Sequence, residues 1–129
     1  MRILQKGFTL VEVMIIVGII ALLATIAIPN LLRSRINANE AAAQATLKSI
    51  STALETYITT YDIYPTDTAD LITDSPQFLT TNFFTGEHNG YTFVANLNNY
   101  TYSVTGSPEN SSKGNSSFTI STGAVLTKN

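Results

Sequence analysis

Cysteine and tryptophan are absent from this chain, and histidine occurs once, at His88. Without cysteine there is no disulfide framework and no thiolate metal site. A single histidine excludes a His-rich metal centre and any triad chemistry drawing on several histidines. Charge is scarce as well: charged residues make up 12% of the 129 residues, and the net charge is −2. Nucleic-acid binding calls for clustered Lys and Arg, and no such cluster is present. No internal repeat appears. Neither a cofactor nor a metal is expected, and an ordinary enzyme is not.

What is present is an apolar run. "KGFTLVEVMIIVGIIALLATIAIP" extends from Lys6 to Pro29, and Phe8–Ile28 is apolar almost throughout. At 1.5 Å per residue it covers a hydrocarbon core of about 30 Å. Within it stands Glu12. A carboxylate at the centre of a membrane helix costs roughly 2.5–3.5 kcal/mol on insertion scales, so such a residue usually has a partner or a task.

Two ordinary readings account for the run but not for Glu12. A secretory signal would use Arg2 and Lys6 as its basic region. However, the run exceeds the usual apolar length, and Ile28-Pro29-Asn30 ends it without a clean small-x-small site, although Ala24 and Ala27 are small. A plain single-pass anchor explains the length and leaves the carboxylate without a purpose.

The residues Lys6-Gly7-Phe8-Thr9-Leu10-Val11-Glu12 resemble the prepilin signature of type IV pilins and pseudopilins. The resemblance is close from Gln5 to Pro29 and looser along the helix beyond. It implies that a prepilin peptidase removes residues 1–7, cutting between Gly7 and Phe8, and that Phe8 is then N-methylated. It also implies a precursor in the inner membrane with a cytoplasmic N-terminus, an inner-membrane assembly platform, and a helical homopolymer outside the cell. Membrane lipid is then the partner before assembly, and the chain's own copies afterwards.

Glu12 acquires a purpose in that setting. Cleavage leaves an ammonium on Phe8, and in a continuous helix Glu12 lies one turn away. The carboxylate then neutralises its own amine or that of a neighbouring subunit, and the second pairing sets the register of each incoming copy. Capping alone is worth less than about 1 kcal/mol through the macrodipole, too little to offset burial. Gly18, Ala21, Ala24, Thr25 and Ala27 offer small faces for helix packing. Pro29 lacks an amide donor and is expected to kink or break the helix near Thr25. Relatives often melt between a glycine and this proline, but Ala21 stands at the glycine position here.

Past Pro29 an amphipathic pattern resumes. Ile36, Ala43, Leu47, Ile50, Leu54, Tyr57, Ile58 and Tyr61 recur at three- and four-residue steps, and Asp62-Ile63-Tyr64-Pro65 ends the helix. Core packing is the expected use of Tyr57 and Tyr61. "TDTADLITDSPQFL" reads as a short helix with Asp67 and Asp70 in capping-box spacing. The acidic cluster Asp62, Asp67, Asp70 and Asp74 lacks calcium-loop spacing and reads as a solvated edge.

Alternation then signals strands. In "YTFVANL" Tyr91, Phe93, Ala95 and Leu97 share a face; Asn98-Asn99 turns the chain into "YTYSVTG", where Tyr100, Tyr102 and Val104 share another. Gly106–Ser117 reads as an exposed loop. Phe118 and Ile120 mark a third strand, which Gly123-Ala124-Val125-Leu126 extends or follows.

The expected fold is α+β. A long N-terminal helix, hydrophobic in its first half, packs its second half on a small antiparallel sheet, as in the pilin fold. The parts are a leader (1–7), a membrane or filament-core helix (8–29), an amphipathic continuation (30–64), and a loop region with the sheet (65–129). The expected helix–sheet core is Leu47, Ile50, Leu54, Tyr57, Tyr91, Phe93, Tyr102 and Phe118. The expected role is the major subunit of a type IV pilus. One alternative is the major pseudopilin of a type II secretion system, which Tyr64-Pro65-Thr66 resembles. Those proteins usually carry a calcium site in the sheet region, and here the late loop holds a single carboxylate, Glu109. Outside the family, the alternative is a monomeric single-pass membrane protein with a periplasmic binding domain.

Overall fold

A computed structural model of the chain describes residues 7–129. The leader expected at 1–7 lies, apart from Gly7, outside the described residues. The chain divides into two units, Met1–Ser34 and Arg35–Asn129. Helix α1, Leu10–Tyr61, begins in the first and ends in the second.

Pro29 lies inside α1, and the helix continues through it, so the break expected there is absent. The φ fixed by the proline ring is helical; the proline lacks the amide that would have bonded the Thr25 carbonyl, and its ring crowds that carbonyl. Nearby, the Thr25 hydroxyl donates to the Ala21 carbonyl at 2.9 Å, and the Ser34 hydroxyl to the Asn30 carbonyl at 2.9 Å. The helix stops where expected. Asp62 takes a left-handed φ of 61° and donates its N–H to the Ile58 carbonyl at 2.8 Å, a single-bond C-terminal cap. Aspartate is one of the few non-glycine residues that tolerate this conformation.

Helix α2 is a single turn, Asp70–Thr73, without a side-chain cap. Asp67 does not form the capping box expected with Asp70. Its Oδ1 accepts the Ala69 amide at 3.0 Å, two residues on, a local turn that competes with capping.

The sheet has four antiparallel strands in the order β1-β2-β3-β4: Tyr91–Asn98, Thr101–Pro108, Phe118–Ser121 and Val125–Lys128. Asn98 pairs with Thr101, so the first turn is Asn99-Tyr100, one residue later than expected. Tyr100 therefore leaves the face of Tyr102 and Val104 and stands 81% exposed at the tip. Residues 123–126 do not extend β3. Gly123 and Ala124, at φ 79° and 60°, turn the chain back, and β4 pairs Val125 with Ser121.

One sheet face and one helix stripe close the core of the second unit. Leu47, Ile50, Leu54, Tyr91, Phe93, Tyr102 and Phe118 are buried together with Val104 and Ile120. Tyr57 is only half-buried at the margin, where its ring lies 5.1 Å from that of Phe78. Tyr61 is 48% exposed, because the stripe outruns the sheet at its C-terminal end. Gly106 makes room for an aromatic: a Cβ there would stand 2.8 Å from Cε1 of Phe93.

The segment read as an exposed loop is neither wholly loop nor free. Strand β2 runs to Pro108, and Gly114 and Ser116 are buried. Tyr91 donates its buried hydroxyl to the Ser116 carbonyl at 2.8 Å. Asn39 on α1 donates to the Lys113 carbonyl at 2.8 Å, and Glu40 accepts the Asn115 amide at 3.1 Å. The Lys113 ammonium reaches Glu87 at 2.8 Å. Ahead of β1, Asn89-Gly90 forms a tight turn with φ 52° and 81°, closed by paired bonds between His88 and Tyr91. Asn-Gly is the residue pair that such turns favour.

A polar knot joins helix, sheet and linker. Glu55 Oε1 accepts the Tyr102 hydroxyl at 3.0 Å and the Gly123 amide at 3.2 Å, and Oε2 accepts the Tyr64 hydroxyl at 3.1 Å. Tyr102 spends its proton on Glu55, so the Ser51 hydroxyl, 2.7 Å away, donates to Tyr102. Burial, and next the hydrogen bond to Glu55, push the Tyr64 phenol up from 10.0 to about 12.

Two outcomes test this core. Leu54→Ala should cost about 2–5 kcal/mol in urea denaturation, the range for fully buried leucines. The raised Tyr64 phenol has a pH signature. Unfolded chains release this proton near pH 10, while the folded unit holds it to about 12. Its contribution is therefore complete below pH 10 and lost as pH rises between these values. Tyr64→Phe should flatten part of that alkaline decline.

Candidate functional site

The first unit presents its apolar surface outward. Phe8 is 83% exposed, Leu10 78% and Leu22 68%. An 18-residue window of α1 has a mean hydropathy of 2.8 with none of it buried, so the helix is long and apolar enough to cross a membrane. A contiguous apolar surface of this extent calls for lipid or other chains as its cover.

At the start of this surface lies a compact polar arrangement. Gly7, Phe8 and Thr9 are not helical, and α1 begins at Leu10. Thr9 is the N-cap: its carbonyl accepts the first helical bond, from the Val13 amide, at 3.3 Å. Its hydroxyl accepts the Glu12 N–H at 3.2 Å. In return, Glu12 Oε2 accepts the Thr9 amide at 2.7 Å and the Thr9 hydroxyl at 2.8 Å. This reciprocal pattern is a capping box, Thr-x-x-Glu. Losing such a cap costs about 0.5–2 kcal/mol, more than the macrodipole alone supplies.

The box changes the expected geometry of Phe8. A one-turn relation between Phe8 and Glu12 requires helix at both residues, whereas Phe8 lies ahead of the N-cap. In the uncut chain its nitrogen is a peptide amide. Glu12 Oε1 makes no hydrogen bond within residues 7–129. Gly7 sits in open space, where a Cβ would meet no atom within 4 Å. Thr9 is the functional candidate that sequence reasoning passed over, although Thr-x-x-Glu ahead of an apolar run is its signal.

The remaining expected residues lie elsewhere. Pro29 is within α1, and the helix–sheet core belongs to the second unit. In the late loop, the Glu109 carboxylate lies 4.0 Å from the Lys113 ammonium. Among the described residues, no group of three or more His, Asp or Glu side chains is arranged to hold a metal ion.

Comparison with known proteins places this arrangement. A family model described as the prokaryotic N-terminal methylation motif matches residues 2–28. The type IV wide pilus major component PilA4 of Thermus thermophilus is 35% identical over 94 residues, covering 70% of this chain and 72% of that protein. The chain belongs to the type IV pilin family. This pilin is also similar to the type IV major pilin protein PilA of Myxococcus xanthus, 39% identical over 73 residues. That match covers 57% of the chain and 33% of the Myxococcus protein. The type II secretion system core protein G of Vibrio cholerae is 39% identical over 62 residues, or 48% of this chain and 42% of that protein. The pilin thus spans a third of the Myxococcus relative and under half of the Vibrio one.

The separation of surfaces gives a direct expectation. The full pilin should stay with membranes through alkaline carbonate washing, and a chain starting at Arg35 should be recovered in the soluble fraction. Fractionation followed by immunoblotting measures both.

Proposed function

We propose that this pilin is the major structural subunit of a type IV pilus. It is cut between Gly7 and Phe8 by a prepilin peptidase, methylated on Phe8, and polymerised through α1 into an extracellular helical filament. Before assembly it rests in the inner membrane as a single-pass precursor with its N-terminus in the cytoplasm. There it meets the peptidase, which also acts as methyltransferase, and the assembly platform. The observation that carries this reading is the unpartnered apolar half of α1 with a carboxylate, Glu12, at its entrance. Lipid covers such a surface in the precursor, and identical helices cover it in a filament. The likeness to the Thermus pilus component, which spans most of both chains, favours a pilus over a secretion pseudopilin.

Electrostatics then assigns the roles. Cleavage creates a cation at Phe8 next to an apolar surface, and an unpaired ammonium in such a setting costs several kcal/mol. Glu12 is the acid nearest the new terminus in sequence. Pairing between copies neutralises both groups and fixes one axial register per subunit.

Mass spectrometry of sheared filaments should find chains beginning with methylated Phe8. A mature terminus near Asn30 would refute the reading. Gly7→Val should leave the precursor uncut; since Gly7 has free space around it, that block would come from the peptidase and not from misfolding. Glu12→Leu should be cut and methylated normally yet yield few filaments. Wild-type yield from that variant would remove Glu12 from assembly.

A further inference from the structure

We infer that the outer edge of β1 is a docking edge for a second copy of the chain, which adds its β4 there as an antiparallel strand. The inference rests on the polymer proposed above and concerns how the second units meet. The strand order leaves the sheet two edges, β1 and β4. Tyr91 exchanges its backbone bonds with His88, at 2.8 and 3.0 Å, and so points away from its β2 partner Pro108. Bonding direction alternates along an antiparallel strand, so Phe93, Ala95 and Leu97 also turn their N–H and C=O groups outward. Among the described residues, none of these groups has a hydrogen-bond partner. Ala95 and Leu97 are only half-buried, although Val104 and Tyr102, paired with them on the same face, are buried. The edge is uncovered.

Exposed edges are ordinarily guarded by lysine, proline or a bulge, because an unpaired row is a template for another chain. Tyr91–Asn98 has no charged residue and no proline, and its pairing with β2 is unbroken. The other edge is complementary. Past β4, Asn129 donates to the Ser117 carbonyl at 2.9 Å, so by the same alternation Leu126 and Lys128 turn their backbone groups outward. The four strands alternate in direction, which makes β1 and β4 opposite in sense. Copies pointing the same way therefore offer each other antiparallel edges, whereas an odd number of strands would offer parallel ones. Phe93, Ala95 and Leu97 side chains lie on the helix-facing side, and so do Leu126 and Lys128, which stand opposite Ile120 and Phe118. A joined sheet thus keeps both helices on one side. Val94 and Val125, 69% and 55% exposed, come to its other surface. The contact uses a different strand on each side, so it extends along a helical filament instead of ending at a dimer.

The chain has no cysteine, so introduced thiols report the joint cleanly. Full chains with Val94→Cys are mixed with tagged full chains carrying Val125→Cys or Thr127→Cys, which cover adjacent registers. The mixture is grown into filaments and oxidised. Disulfide-linked dimers should form between the two kinds of chain, and neither kind should link to itself. Ala95→Pro, added to the Val94→Cys chain, should abolish the link, because it withdraws an outward amide that the chain's own sheet does not use. Asn96→Lys guards the same edge without changing the backbone and should lower the link as well. Thermal unfolding followed by circular dichroism should show both variants folded. A link no stronger than that of the Ala95→Pro chain overturns the inference. Linking of Val94→Cys chains to one another overturns it in favour of a β1–β1 pair. If the wild type forms no filament, the proposed function fails, and the same mixture packed in phosphatidylglycerol–phosphatidylethanolamine vesicles decides the edge.

Discussion

Leu47, Ile50 and Leu54, packed against Tyr91, Phe93 and Phe118, form the contact on which the rest of the second unit depends. These side chains are fully or almost fully buried. A meander of short strands has one face to hide, and an amphipathic helix has one stripe; neither is stable in water without the other. Strands β1, β2 and β3 alternate so that their buried residues meet that stripe, with mostly threonine, serine and asparagine on the other face. Val94, 69% exposed, breaks the polarity of the outer face at no cost to the core.

Apolar packing does not by itself fix how the C-terminal hairpin ends. Ala124 is held at φ 60°, a conformation costly for a residue with a Cβ. The adjacent Gly123 amide is bound to Glu55, which also takes the hydroxyls of Tyr64 and Tyr102. A single carboxylate on α1 thus holds the β3–β4 turn, the second strand and the segment after the helix. Burial disfavours the phenolate of both tyrosines and moves their titration further above physiological pH. Similarly, Asn39 and Glu40 tie the late loop to the helix. The helix is the frame to which both loops are fastened.

The first unit follows the opposite logic. Its described apolar residues are exposed, and on the function proposed here lipid and then other copies of the chain cover them. In that setting a charge is costly unless it is satisfied. Glu12 satisfies one oxygen locally through Thr9. Gly18 has open space around it, and on the function proposed here small residues such as Gly18 and Ala21 let neighbouring helices approach closely.

Much of this was legible from residue order alone, because the relevant physics is local. The apolar run, the amphipathic period from Ile36 to Leu54, the stop at Asp62 and the alternation in Tyr91–Leu97 each reflect short-range spacing. So did Thr-x-x-Glu and Asn-Gly, two signals that went unread. Other features depended on which surfaces met. Register moved the first hairpin turn to Asn99-Tyr100 and expelled Tyr100 from the core face. The reach of the sheet left Tyr61 exposed, and contacts distant in sequence drew Gly114 and Ser116 into the interior. Pro29 stayed helical because a missing hydrogen bond is a smaller penalty than interrupting a long helix. The sequence by itself determined the elements, the apolar surface and the place of Glu12. Only the tertiary structure decided that Glu55 would hold the Tyr102 hydroxyl and the Gly123 amide, because those partners lie far from it in residue order.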